Sequence, residues 1–174
     1  DMVPAADIVP TIVPVLAWRL AGRTRWELDL FTGDPGAADA TAVSGGAVRG
    51  YERHPEQRRL AVLSLVELRS SRTLRRWSQF YPIDSTYLRA DPDGVDAEIA
   101  EIEAVLSGSA RLGSAEELGA LGWAGVSDGA VAVLERVAGY VSPHALRAAA
   151  LADRAVRRRV TVRTTPAETV AATG

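Results

Sequence analysis

The sequence has no cysteine, no lysine and no asparagine, and only two histidines and one methionine in 174 residues. Without cysteine there are no disulfides, zinc ribbons or thiol nucleophiles. Without lysine there is no G-x-x-x-x-G-K-[ST] phosphate loop, and no G-x-G-x-x-G occurs either. His54 and His144 each adjoin a proline and form no H-x-H or H-E-x-x-H pair. G-x-S-x-G occurs once, as GVSDG from Gly125 to Gly129, and its Ser127-Asp128 reads as a helix start. No apolar run approaches the roughly 20 residues of a membrane helix. The apolar N-terminal stretch carries Asp1 and Asp7 in place of a positive region, and prolines interrupt it, so it does not read as a secretory signal. These absences lead to the expectation of a cytoplasmic protein with no membrane partner, no metal and no cofactor. The opening on Asp1 and the closing TTPAETVAATG suit a trimmed chain or a piece of a larger one.

What is present is ordinary globular material, 47% apolar and 24% charged. All 20 basic residues are arginine, a bias that points first to a GC-rich, actinobacterial-type genome. The length suits one domain, expected over residues 1–163 with a flexible tail at 164–174. Residues 12–90 read as β-rich and 93–158 as helical.

Three Val-Pro pairs in residues 3–14 favour an extended lead-in. Leu16, Trp18 and Leu20 alternate with Ala17 and Arg19, and Trp26, Leu28 and Leu30 alternate with Glu27 and Asp29, across a Gly-containing link. This predicts a β-hairpin. Residues 32–50 are small and Gly-rich, a loop, with a short strand at Val48–Arg53. The run LAVLSLVEL and the segment ending in Trp77 echo the first hairpin, so residues 55–81 read as a second hairpin, with a helical pair as the alternative. Val95, Ile99, Ile102 and Leu106 make a helical stripe. Ser114 and Glu117 form a capping box. Ser127-Asp128 opens a predicted helix with Val131, Leu134, Val137, Ala138 and Val141 inward. Ser142-Pro143 starts another, running to about Arg158, and RVTVR at 159–163 reads as a strand. The predicted fold is α+β: an antiparallel sheet of about four strands, from two hairpins, under three or four helices. Trp18, Trp26 and Trp77 are the expected large pieces of that interface.

Little of this carries chemistry. Asp91, Asp93 and Asp96 have metal-like spacing, but a calcium loop fails at position six (Asp96 for glycine) and position twelve (Ile102 for glutamate); the cluster reads as a turn and a cap. Glu27 and Asp29 read as a solvated strand face. Ser142 and His144 lie two apart, with the serine explained as a cap. Gly122 and Gly125 are three apart, where a DNA-binding hairpin between helices wants two. Charge alone is organised. Residues 1–48 carry net −3, residues 49–90 net +5, residues 91–135 net −9 and residues 136–163 net +6. The acidic helix is expected to neutralise arginines 69–76 or 154–159. Candidate anion- or partner-binding residues are Arg72, Arg75, Arg76 and Trp77, and the helical stripe Arg147, Arg154 and Arg158. The expected function is a non-catalytic interaction or accessory domain, whose partner is another protein or a second copy of itself. Nucleic acid is the lesser alternative, and an enzyme with a site scattered through the fold a further one.

Overall fold

The computed structural model describes residues 9–31, 45–127 and 129–163, with side chains from Pro14 onward. Residues 1–8, 32–44, 128 and 164–174 lie outside the described residues, and with them part of the extended lead-in, most of the glycine-rich loop, half of the expected Ser127-Asp128 start and the tail. The elements run α1 (Val9–Arg23), β1 (Leu28–Phe31), β2 (Ala47–Val48), α2 (Pro55–Ser70), α3 (Arg72–Ser78), β3 (Tyr81–Pro82), β4 (Ser85–Arg89), α4 (Val95–Val105), β5 (Ala110–Gly113), α5 (Ala115–Ala120), β6 (Val131–Glu135), β7 (Gly139–Tyr140), α6 (Pro143–Ala152), α7 (Arg154–Arg159) and β8 (Val160–Arg163). The class is α+β: two antiparallel sheets of three strands each and one parallel pair.

The chain divides into two compact units. Unit 1 takes Asp1–Gly45, Trp77–Gln79 and Ser142–Gly174. Its strands β1 and β8 pair in parallel, Leu28 opposite Val160 and Leu30 opposite Val162. Helix α1 packs on α6 and α7. It buries Pro14, Ala17 and Ala21, a stripe at helical spacing. This overturns the first hairpin. The alternating Leu16, Trp18 and Leu20 belong to a helix, because small residues on the stripe let α1 approach the alanine-rich α6, whose Ala150 is buried. Only Leu28–Phe31 remains a strand, and its partner is distant in sequence. Trp26 is exposed. Trp18 meets Trp77 edge-on, ring centroids 4.9 Å apart at 64°. Arg159 donates to the carbonyls of Ala21 and Thr24, satisfying the C-terminal end of α1.

Unit 2 takes Gly46–Arg76 and Phe80–Val141. Its main sheet has the order β4-β6-β5, with β6 central: Val133 faces Tyr87 on one side and Leu112 on the other. Helices α2 and α4 pack together, and Val62, Val95, Ile99 and Ile102 join Tyr51, Ala110 and Val133 in one core. The predicted helix at Val95–Leu106 and its apolar stripe are therefore observed. The second small sheet is β2-β7-β3. Gly139 of β7 is a close approach that no other residue fits: a Cβ there would collide with the Tyr81 carbonyl oxygen and lie 2.6 Å from the Phe80 ring.

Three further expectations are corrected. The second hairpin is a helical pair, α2 and α3, since the buried positions Arg58, Val62 and Leu65 fall at i, i+4 and i+7, with Pro55 at the first turn. The helix expected after Ser127 is instead β6 and β7: Val131, Val133 and Glu135 alternate on one face between β4 and β5. The helix from Ser142 breaks at Asp153, whose extended backbone caps α7 through a bond from the Ala155 N–H. Both serine caps form as predicted: Ser114 with Glu117 as a reciprocal box, and Ser142 accepting from the Ala145 N–H.

Candidate functional site

The two faces of the β4-β6-β5 sheet in unit 2 differ in chemistry. On one, Val131, Val133 and Glu135 of β6 look into the core. Glu135 is fully buried, and its carboxylate accepts from the Gly50 N–H at 2.5 Å and the Tyr51 N–H at 3.3 Å. Burial raises its pKa, and those two N–H bonds work against the rise. Tyr87, on the same face, is pushed up to about 12 by burial and then by the charge of Glu135. Gly50 is needed here: a Cβ would sit 2.9 Å from the glutamate oxygen and 3.3 Å from Val62.

A second polar cluster links this core to α4. Tyr51 donates to Glu98 at 2.8 Å; Arg89 donates to the Tyr51 hydroxyl at 2.6 Å and to Glu98 at 2.7 Å. Arg58 is buried and donates to Glu101 at 2.9 Å and to the carbonyls of Glu52 and Arg53. The acidic helix is thus paired with Arg58 and Arg89, which lie outside the two runs, 69–76 and 154–159, expected to neutralise it. Glu103 turns instead to the backbone N–H groups of Gly108, Ser109 and Ala110 at the end of its own helix. Burial alone would raise its pKa; the three N–H bonds outweigh it and lower it. Each carboxylate in these clusters has hydrogen-bond donors, and the bonds tie distant segments together.

The other face of the sheet is open. Thr86, Leu134 and Arg111 lie side by side across β4, β6 and β5. With Leu121, Glu117 and Arg136 they line a cleft of 330 Å³. Gly113 on β5 leaves room for the Leu134 side chain, since a Cβ there would meet it at 2.9 Å. Arg111 forms a two-pronged pair with Glu117, at 2.9 and 2.5 Å, which holds Glu117 down at about 2. The cleft thus has an apolar floor of Leu134 and Leu121, rimmed by the mutually paired Arg111 and Glu117 and by Arg136.

The residues singled out in the sequence lie elsewhere. Arg72, Arg75 and Arg76 are exposed on α3 at i, i+3 and i+4, one helical face. Trp77 is half-buried against Trp18 and is not an open stacking platform. Arg147 lies on α6 while Arg154 and Arg158 lie on α7, so the break at Asp153 ends the stripe. The chain's central polar residues, Arg58, Arg89, Glu98 and Glu135, were missed. Two left a signal: Arg58 falls on the apolar stripe of α2, and Glu135 continues the inward alternation of Val131 and Val133. The Asp91 carboxylate accepts from the Asp93 N–H, the turn expected for that cluster. Among the described residues no helix is long and apolar enough to cross a membrane.

No protein-family model matches the chain, and no curated protein sequence matches it. Solved structures do. The fold is similar to L-amino acid deaminase from Proteus myxofaciens, in complex with anthranilate, with TM-score 0.57 and 18% identity over 86% of this chain and 35% of that one. It is similar to L-proline dehydrogenase from P. horikoshii, with TM-score 0.60 and 20% identity over 87% and 41%. It is also similar to NikD, an amino acid oxidase of nikkomycin biosynthesis, with TM-score 0.53 and 20% identity over 88% and 40%. The chain therefore spans about two fifths or less of each of these proteins, and what it shares with them is the fold.

Proposed function

We propose that the chain is a non-catalytic accessory module on the fold of an amino-acid oxidoreductase, one that binds a protein partner and takes a small amino-carboxylate in its open-face cleft without oxidising it. One observation carries this reading: a fold held in common with three enzymes named for amino acids, in a sequence that has no G-x-G-x-x-G. Oxidising an amine removes two electrons, so an acceptor has to be held beside the substrate. Dinucleotide sites in parallel α/β units place glycines where a helix opens, so that backbone N–H groups reach the pyrophosphate. Here α1 leads into the parallel pair β1–β8. The described opening of that helix, VPTIVP from Val9, has no glycine and two prolines, and a proline has no N–H to offer. These residues do not fit such a group, and no redox step is assigned to them. The closed hydrogen bonding of Glu135, Glu98 and Glu103 supports the same reading.

The test pairs two measurements on the purified chain. Anthranilate, L-proline and other L-amino acids, raised to about 10 mM to reach weak binding, are expected to shift amide signals along β4, β5 and β6, with no reduction of an artificial electron acceptor. Amino-acid-dependent reduction of the acceptor overturns the non-catalytic reading. Absence of any shift removes the ligand.

A second reading, nucleic-acid binding, is supported by the exposed face of Arg72, Arg75 and Arg76 on α3. It requires salt-dependent binding to DNA or RNA that weakens in Arg72→Ala/Arg76→Ala. No binding at low salt ends it.

A further inference from the structure

Helix α2 has two faces. One buries Arg58, Val62 and Leu65. The other carries Glu56, Arg59, Leu60, Leu63, Glu67 and Ser70, all exposed. Leu60 is 66% exposed and Leu63 48%. These six positions share one side of the helix, since steps of three and four residues return to the same face. A single exposed leucine needs no explanation. Two lie on this one face, and Leu63 lines a groove of 660 Å³ with the half-exposed Val105 of α4.

The charges on that face say what covers it. Arg59 lies four residues before Leu63, and Glu67 four residues after it. A twofold axis through Leu63 runs two copies of α2 antiparallel and sets position 63−n of one copy against 63+n of the other. Arg59 then faces Glu67 twice, Leu60 faces Val66 twice, Leu63 meets itself on the axis, and Glu56 meets Ser70. Parallel pairing stacks Arg59 on Arg59 and Glu67 on Glu67, which is repulsive at both ends. The stripe is complementary to itself in one orientation only.

We infer that α2 is a self-association helix, and that the partner of this face is a second copy of the chain, docked antiparallel about Leu63. The inference stands on α2 alone and not on the amino-acid reading. Dimerisation without ligand binding, or ligand binding without dimerisation, separates the two.

Sedimentation of the purified chain up to about 100 µM, where contacts of modest affinity are populated, is expected to show a monomer–dimer equilibrium. Leu63→Asp abolishes the dimer, with circular dichroism unchanged because Leu63 is outside the core. Arg59→Glu and Glu67→Arg each raise the dimer Kd by roughly tenfold, because every change occurs twice across the axis. The double variant Arg59→Glu/Glu67→Arg restores it. A strict monomer at all concentrations overturns the inference. So does a dimer indifferent to Leu63→Asp, or a double variant no tighter than the single ones.

Discussion

The two units bury different things. Unit 1 holds α1 to α6 and α7 through Ala17, Ala21, Ala150 and Val156, and no charged side chain is buried among its described residues. Its ion pair Arg163–Asp29 is half-exposed at both ends. Unit 2 encloses Arg58 and Glu135 and gives each a full set of partners. A small-residue contact fixes how close two helices come but says little about loops. A buried carboxylate with two N–H donors fixes one loop in one register, because any slip leaves a desolvated charge. Unit 2 thus uses charge to specify what unit 1 specifies by shape.

This contrast can be broken by substitution. The largest effect belongs to the apolar core of unit 2. Leu65 is 1% exposed, and Leu65→Ala is expected to cost about 3 kcal/mol in urea unfolding; a loss below about 1 kcal/mol means that the site collapses around the cavity. Next comes Glu135→Ala, which strands the buried N–H groups of Gly50 and Tyr51 at a cost of about 2 kcal/mol. Hydrogen exchange should quicken first at those two amides. If it does not, the carboxylate is not what holds the loop. In unit 1 the corresponding change is Trp77→Leu, which removes the edge-on contact with Trp18. It should cost about 1 kcal/mol, and tryptophan fluorescence reports it. A cost matching that of Glu135→Ala would erase the difference between the units. The smallest effect is at the surface of unit 2. Glu117 is held at about 2 against an ordinary 4.5, so the pair with Arg111 stabilises above pH 4.5 and fades as pH falls towards 2. Melting curves of Arg111→Ala and the parent chain should differ slightly at neutral pH and converge over that window. Divergence on acidification would reverse the sign and refute the assignment.

The legible parts of the fold were those with a local cause. The stripe Val95–Ile99–Ile102, the Ser114–Glu117 box and the Ser142-Pro143 start each act within a few residues, and each is present. The failures share a different cause. Val131–Glu135 carries an apolar pattern that either a helix or a strand could use, and the strands that decide it, β4 and β5, are supplied by other parts of the sequence. At α1, alternation over five residues was weaker evidence than the small residues Ala17 and Ala21 on its buried stripe. The polar clusters were hidden for the same reason. Tyr51 and Glu98, or Gly50 and Glu135, belong to distant segments, and neither partner signals the other. The open-face cleft draws its rim from β5, α5 and the end of β6, a gathering that spacing along the chain does not reveal.

The pairing of Leu28 with Val160 has a consequence for synthesis. A ribosome delivers β1 early and β8 late, and the whole of unit 2 emerges in between. Unit 2 can close while translation proceeds, since Gly46–Arg76 and Phe80–Val141 are complete before β8 exists. Strand β1 must wait, its edge groups unpaired, until the arginine-rich α7 and β8 have emerged. The interval before β8 arrives is therefore when the exposed edge of β1 is most open to wrong partners.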